Sequence, residues 1–204
     1  MLLAIDTSAG TSVAVVDREA GILAEHSSDD TRRHAEVIGE LIAACLADSG
    51  IAVAELSGVV SGMGPGPFTG LRVGIAAARA FAFGAGKLVV PIASHDAIAF
   101  GESGSFVVAT DARRSELYWS AYEGPDAAGL PTRTAGPSLV KAVDLESAVP
   151  AGHRVIRATT VSAASLGLLA ETFYANGRPF AADEPLYLRS PDVTLSAGPK
   201  RVTS

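Results

Sequence analysis

Cysteine is almost missing from this sequence, since Cys45 is the single one among 204 residues. One cysteine excludes a disulfide within the chain and fits a reducing compartment, so we expect a cytoplasmic protein. Cys45 lies among apolar residues at helical spacing, which favours a small buried side chain over a catalytic thiol.

Basic residues and long apolar runs are scarce as well. Lysine and arginine total 16 against 22 acidic residues, which gives a net charge of −6. Such a chain is poorly suited to grip a nucleic-acid backbone unaided, because that task requires clustered positive charge. Arg72 and Arg79 interrupt the most apolar region, and Asp6 follows the first apolar residues too soon for a secretory signal. We therefore expect no membrane association.

Apolar residues, by contrast, are abundant. They make up 48% of the chain, and only 19% is charged, which is typical of a globular protein rather than a disordered one. A chain of 204 residues can form one large domain or two small ones that share a core.

The first half alternates short β-prone runs with two longer helical segments. The runs LLAID, SVAVVD and GILAEHS predict three strands joined by hairpin turns. A helix over 31–49, a strand at GVVSG, a helix over 70–84, a strand at KLVVPI and a short helix at SHDAIAF follow. The order β-β-β-α-β-α-β predicts a mixed sheet with helices packed on it.

The second half repeats the beginning of the first. The segment VVATDARRSELYWSAYE aligns with LLAIDTSAGTSVAVVD so that Asp111 falls on Asp6. We interpret this as a duplicated hairpin unit in two subdomains, 1–100 and 101–204, and two ordinary hairpins are the alternative. Beyond it we expect a loop-rich stretch TAGPSLVKAVDLESAVPAGHRV, a helix at VSAASLGLLAETFYANG and an extended tail from DEPLYLR onward.

A glycine-rich loop, SGMGPGPFTGLRVG, precedes the second long helix. It does not fit a phosphate-binding P-loop, because Pro65 and Pro67 offer no N–H group and the P-loop lysine is missing. The pattern indicates a rigid helix start instead. We expect Thr69 to cap the helix, and Phe68 and Val73 to form a hydrophobic staple. The residues of this loop and cap are Pro65, Gly66, Phe68, Thr69 and Gly70.

Arg72 falls in the first turn of that helix. A cation there costs about 0.3–1 kcal/mol unless an anion faces it. The candidates are an internal carboxylate such as Glu36 or Glu40, and an acidic group or phosphate on a partner. The sequence leaves both open.

Both long helices carry more apolar surface than one sheet needs. At 100° per residue, the apolar side chains of 31–49 spread over roughly 200°, and 70–84 is apolar nearly all round apart from its two arginines. Either other parts of the chain cover this surface or another protein does. We favour a helix-on-helix interface. Its predicted residues are Ile38, Leu41, Ile42, Cys45, Leu71, Arg72, Ile75, Ala78, Arg79 and Ala82.

Five segments together resemble the TsaB (YeaZ) family. They are LLAIDTSAGTSVAVVD, RRHAEVIGELI, SGMGPGPFTGLRVGIAAARAFA, TDARRSELYWSAY and PLYLRSPDV. The likeness covers nearly the whole chain, although Pro67 stands where the family usually has serine, and the stretch between His153 and Ser165 looks shortened. The resemblance implies an α/β fold of the actin-like, sugar-kinase-like (ASKHA) class, with two related ββαβα-type subdomains and mixed sheets.

The resemblance also implies a role without catalysis. Family members are partners of TsaD, a similar protein that binds metal and transfers the threonylcarbamoyl group to the adenosine beside the anticodon of ANN-decoding tRNAs. Helices 31–49 and 70–84 would form this heterodimer, or a homodimer, and the ATPase TsaE would join the pair. TsaC-type enzymes would supply threonylcarbamoyl-AMP. This chain would then hold no cofactor, since ATP and metal belong to its partners, and it would meet tRNA only through the complex.

The residues of this sequence also favour a partner without catalytic activity, independently of the resemblance. A TsaD-like metal site needs a second histidine four residues after His95, where Ala99 stands. No peptidase motif is present in the sequence.

The turn after the first strand supplies the candidates for cofactor contacts, namely Asp6, Thr7 and Ser8. Asp6 and Asp111 are either remnants of a metal-organising pair or, as we favour, residues that end strands and hydrogen-bond their turns. The rival functions are an ASKHA-type phosphotransferase that acts alone and a homodimeric regulatory protein.

Overall fold

A computed structural model describes residues 1–189 of the chain. The strands of the first half are β1 (Leu2–Asp6), β2 (Thr11–Asp17), β3 (Gly21–Ser28), β4 (Gly58–Gly62) and β5 (Leu88–Ile92). Its helices are α1 (His34–Ser49), α2 (Phe68–Ala85) and α3 (Ser94–Ala99). The second half contains β6 (Phe106–Asp111), β7 (Glu116–Pro125), β8 (Pro131–Lys141), α4 (Leu145–Ala148), β9 (Arg154–Ala158) and α5 (Ala163–Ala175).

The first five strands form a mixed sheet in the order β3-β2-β1-β4-β5. Strand β1 runs antiparallel to β2 and parallel to β4. Because side chains alternate along a strand, Leu3 and Ile5 face α1 and α2, whereas Leu2 and Ala4 face α5. The mixed sheet predicted for the first half is confirmed.

The other four strands form a second sheet in the order β8-β7-β6-β9. Strand β6 pairs antiparallel with β7 and parallel with β9, as β1 does with β2 and β4. Asp111 ends β6 as Asp6 ends β1. The predicted repeat of the hairpin is therefore present in the topology.

The stretch expected to be loop-rich is largely regular, and that prediction is wrong. It contains most of β8, the helix α4 and the start of β9. Gly136 and Pro137, two residue types that disfavour the interior of a strand, lie within β8. The structure accommodates both because β8 is an edge strand whose pairing with β7 shifts register near them.

Each half contributes a helix to the packing of the other. Helix α5 packs on β1, β2 and β3, while α3 packs on β6, β7 and β8. Helix α5 lies close to strand β2 of the first sheet, since a β-carbon on Gly167 would be 2.6 Å from the Val16 side chain. The division into 1–100 and 101–204 stays a prediction, because the two stretches share this packing.

Residues 176–189 continue beyond α5 without helix or strand, and the part of the predicted tail that the structure describes is 183–189. The remainder of the predicted tail, from Ser190 onward, lies outside the described residues. Within 1–189, none of the helices combines the length and the apolar character that crossing a bilayer requires.

Candidate functional site

The glycine-rich loop encloses the turn between β1 and β2. Within this turn the Asp6 carboxylate accepts hydrogen bonds from the Ser8 amide at 2.8 Å and the Ser8 hydroxyl at 2.6 Å. It also accepts one from Ser94 at 2.5 Å. Burial raises the pKa of Asp6, while the bonds from Ser8 and Ser94 oppose that rise. Thr7 donates to the carbonyl of Gly70 at 2.7 Å.

Four glycines at intervals of four residues make this enclosure possible. A β-carbon on Gly62 would overlap the Asp6 carboxylate, and one on Gly74 would overlap the Thr7 hydroxyl. At Gly66 and Gly70 it would lie 2.8 Å from Ser8 and 2.7 Å from the Thr7 carbonyl. The glycines thus let the chain's own turn approach the loop closely, in the place where a P-loop would hold phosphate.

The candidate cofactor residues Asp6, Thr7 and Ser8 are therefore engaged by their own chain. Beside them lies a cavity of about 400 Å³ between the halves, lined by Ser8, Asp29, Asp111, Arg113 and Thr159 among others. Among residues 1–189, no three His, Cys, Asp or Glu side chains are grouped so as to hold a metal ion.

Arg113 crosses the opening between the two halves. Its guanidinium donates to the Thr31 hydroxyl at 2.5 Å, and its amide donates to the Asp111 carboxylate at 3.0 Å. Arg113, Arg114 and Ser115 all have left-handed backbone, with φ of 66°, 54° and 59°. Asp111 thus bonds its own turn, as the favoured interpretation of that aspartate requires.

His95 forms a joint between the halves. Its ring is buried, with Nδ1 2.8 Å from the Ser120 hydroxyl and Nε2 2.9 Å from the Thr110 hydroxyl. Burial, aided by the charge of Arg133, lowers its pKa to about 3. The imidazole is neutral and fully hydrogen-bonded within the protein.

The predicted cap of α2 is wrong. The helix begins at Phe68, Pro67 occupies the N-cap position, and no side chain caps it. Thr69 is exposed one residue inside the helix, so its hydroxyl lies beyond the cap position. Because Phe68 is the first helical residue rather than the residue before the cap, the staple with Val73 is wrong too.

The two arginines of α2 face the C-terminal segment. The Arg72 guanidinium stacks 3.7 Å from the centre of the Phe68 ring, and its Nε donates to the Tyr187 hydroxyl at 3.1 Å. An aromatic face and a phenol oxygen thus face Arg72 in place of the internal carboxylate that was one of the two candidates, and Glu36 pairs with Arg33 instead. Arg79 donates to the Asp183 carboxylate at 2.8 Å.

Six of the ten predicted interface residues are interior residues of this chain, which corrects that prediction for them. They are Ile38, Cys45, Leu71, Ile75, Ala78 and Ala82. Their side chains pack on the first sheet or on the glycine-rich loop, because each helix turns its most apolar stripe inward. Leu41 and Ile42 are half-buried, and Arg72 and Arg79 are exposed.

The outer surface of the two helices mixes small, apolar and charged residues. Its small or apolar exposed residues include Ala35, Gly39, Ala43, Ala76, Ala80 and Phe83, which we call the small-residue face, and Glu36, Glu40, Arg72 and Arg79 are exposed on the same helices. Phe83 is 90% exposed. The sequence held a signal for this face, since Ala35, Gly39 and Ala43 recur every four residues, as do Ala76 and Ala80.

Together these features define an α/β protein with two mixed sheets, a duplicated hairpin, and a glycine-rich loop filled by its own turn. The family model for tRNA N6-adenosine threonylcarbamoyltransferase, TsaD, matches residues 10–160. An uncharacterised protein of Mycobacterium tuberculosis is 38% identical over 199 residues, which cover 94% of this chain and 92% of that protein.

Relatives with names are similar over a shorter stretch. The tRNA threonylcarbamoyladenosine biosynthesis protein TsaB of Haemophilus influenzae is 38% identical over 125 residues, 58% of this chain and 52% of that protein. A structure from Pseudomonas aeruginosa, described as similar to peptidase YeaZ, superposes with a TM-score of 0.76 at 24% identity, over 92% of this chain and 99% of that one. The chain belongs to the TsaB (YeaZ) family.

Proposed function

We propose that this chain is a non-catalytic partner of a TsaD-like protein in the biosynthesis of threonylcarbamoyladenosine on tRNA. Relatives that carry the TsaB name support the pathway, and the duplicated hairpin supports assignment to the ASKHA class. The protein acts in the cytoplasm, and it meets tRNA and the TsaE-like ATPase within the complex.

The observation that carries this proposal is the small-residue face. Exposed apolar surface of this kind typically marks a contact with another protein. Small side chains let a second helix approach closely, and the exposed Phe83 ring supplies a larger apolar contact. Leu41, Ile42, Arg72 and Arg79 remain proposed interface residues at the edges of this face. The same face serves a homodimer when the partner is absent.

The chemistry belongs to the partner in this proposal. Asp6, Thr7 and Ser8 bond their own chain, and His95 has both ring nitrogens committed to hydroxyls. These side chains are therefore not available to polarise a substrate or to move a proton. ATP and metal bind to the partner subunits.

The decisive experiment places a charge on the small-residue face. Ala80→Glu puts an exposed carboxylate where a partner helix must approach, so we expect at least a tenfold loss of affinity for the TsaD-like protein in calorimetric titration. Ala175→Glu, an exposed alanine at the end of α5, is the matched control and leaves affinity unchanged. Circular dichroism verifies that both variants fold. Wild-type affinity in Ala80→Glu contradicts the proposed interface.

A reconstituted reaction tests the role itself. Purified TsaC-type enzyme, TsaD-like protein and TsaE-like ATPase are assayed for threonylcarbamoyl transfer to tRNA, with and without this chain. We expect transfer to depend on the chain and to fall with Ala80→Glu. Equal transfer without the chain contradicts the proposed role.

A further inference from the structure

Residues 178–189, which we call the C-terminal strap, cross back over the first half of the protein. The Ala181 amide donates to the Pro91 carbonyl on β5 at 3.1 Å. The Leu186 amide donates to the Met63 carbonyl at 2.8 Å, in the glycine-rich loop. Met63 packs with Leu71 and Ile75 in a small apolar cluster apart from the main cores. The strap therefore reaches the segment that leads into α2.

Side chains of the strap hold α2 at two points. The Tyr187 ring lies 4.8 Å from the Phe68 ring, and its hydroxyl accepts a hydrogen bond from Arg72. Two turns further along α2, Asp183 pairs with Arg79 through both its carboxylate and its carbonyl oxygen, at 2.8 and 3.0 Å.

The ends of the strap are fixed to the second half. Arg178 pairs with Asp126 at 2.5 Å, and Arg189 pairs with Glu116 at the start of β7. A strap held at both ends in this way resists displacement of α2 relative to the second half. Without the strap, α2 keeps its packing on the sheet and on α1 and the hydrogen bond from Thr7 to the Gly70 carbonyl.

The strap also lies beside the small-residue face. Residues four apart on a helix differ in direction by about 40°, so Arg72 points next to Ala76. Phe83 likewise follows Arg79 by four residues, so these two side chains point in neighbouring directions. The strap contacts of α2 thus form one border of the face proposed to dock the partner.

We propose that the strap positions α2 for docking, with Tyr187 and Asp183 as positioning residues. The docking of a partner rests on the proposed function, whereas the effect of the strap on α2 does not depend on it. The ring pair of Tyr187 with Phe68 and its cation–π contact with Arg72 are together worth enough to slow local opening by about tenfold.

Hydrogen exchange on the full chain tests the strap alone. In Tyr187→Ala we expect amides 69–76 to exchange about tenfold faster than in wild type, while Tyr174→Ala leaves them unchanged. Tyr174 is the matched control because it is a 76% exposed tyrosine at the end of α5. Tyr187→Phe keeps the ring and loses only the hydroxyl, so its exchange falls between wild type and Tyr187→Ala. Unchanged exchange in Tyr187→Ala overturns the proposal.

Titration with the TsaD-like protein tests the consequence. Tyr187→Ala and Asp183→Ala should each weaken binding, by about tenfold and about threefold, in protein that thermal melting shows to be folded. A gain in affinity overturns the proposal, because it means that the strap covers the face rather than positions it. If wild type binds no TsaD-like protein, the proposed function fails and docking falls with it, while the exchange data still decide whether the strap holds α2.

Discussion

The Nε2 atom of His95 lies 2.9 Å from the Thr110 hydroxyl, and this contact joins helix α3 to strand β6 inside the protein. The other ring nitrogen meets Ser120 on β7. One nitrogen of a neutral imidazole donates and the other accepts, so two hydroxyls satisfy the ring completely. His95, which the resemblance matched to one histidine of a TsaD-like pair, serves here as a link between the halves.

A histidine kept neutral by burial makes stability depend on pH. The unfolded chain takes up this proton near pH 6.5, whereas the folded protein does so only near 3. The folded pKa is the lower one, so the contribution is fully present above pH 6.5 and is lost as pH falls toward 3. His95 therefore removes about 1.4 kcal/mol of unfolding free energy per pH unit below 6.5.

Urea unfolding of wild type and His95→Gln at pH 7 and pH 5 measures this effect. Since glutamine does not titrate, the stability advantage of wild type over the variant should shrink by about 2 kcal/mol at the lower pH. The same advantage at both pH values would mean that His95 is not held neutral.

Two glycine-to-alanine changes, one in the glycine-rich segment and one in α1, should have opposite effects on stability. Gly74→Ala drives a methyl group into the Thr7 hydroxyl and should lower the unfolding free energy by about 1–3 kcal/mol. Gly39→Ala, inside α1 with open space around it, should raise it by about 0.5–1 kcal/mol through helix propensity. Chemical denaturation of both variants decides, and a Gly74→Ala protein as stable as wild type would refute the close approach of the turn.

Glu25 on β3 caps the N-terminus of helix α5, which is distant from it in the sequence. Its carboxylate accepts from the Ala164 amide at 3.0 Å and the Ser162 hydroxyl at 2.8 Å. Glu25→Ala should therefore cost about 1–2 kcal/mol of unfolding free energy. Glu123→Ala, at an exposed position of β7, serves as the control and should change little. Equal thermal stability of the two variants would show that the cap contributes nothing.

Local patterns predicted most of the elements. Short β-prone runs separated by turn residues located β1 to β3, and the match of Asp111 to Asp6 predicted the second hairpin. The prolines of the glycine-rich loop argued against a P-loop, and in the structure the loop encloses the chain's own turn. The four-residue spacing of Gly62, Gly66, Gly70 and Gly74 is visible in the sequence. Only the structure shows that these glycines make room for the turn between β1 and β2.

The sequence by itself determined the order of strands and helices, because periodicity and turn residues act over a few neighbouring positions. Only the tertiary structure decided which faces of α1 and α2 are free. A helix that is apolar nearly all round has no face marked as outer, so Leu71 and Ile75 were as plausible at an interface as Ala76 and Ala80. The sheet packs against one stripe of α2, and a strap more than a hundred residues distant packs against another. Local sequence does not encode these contacts.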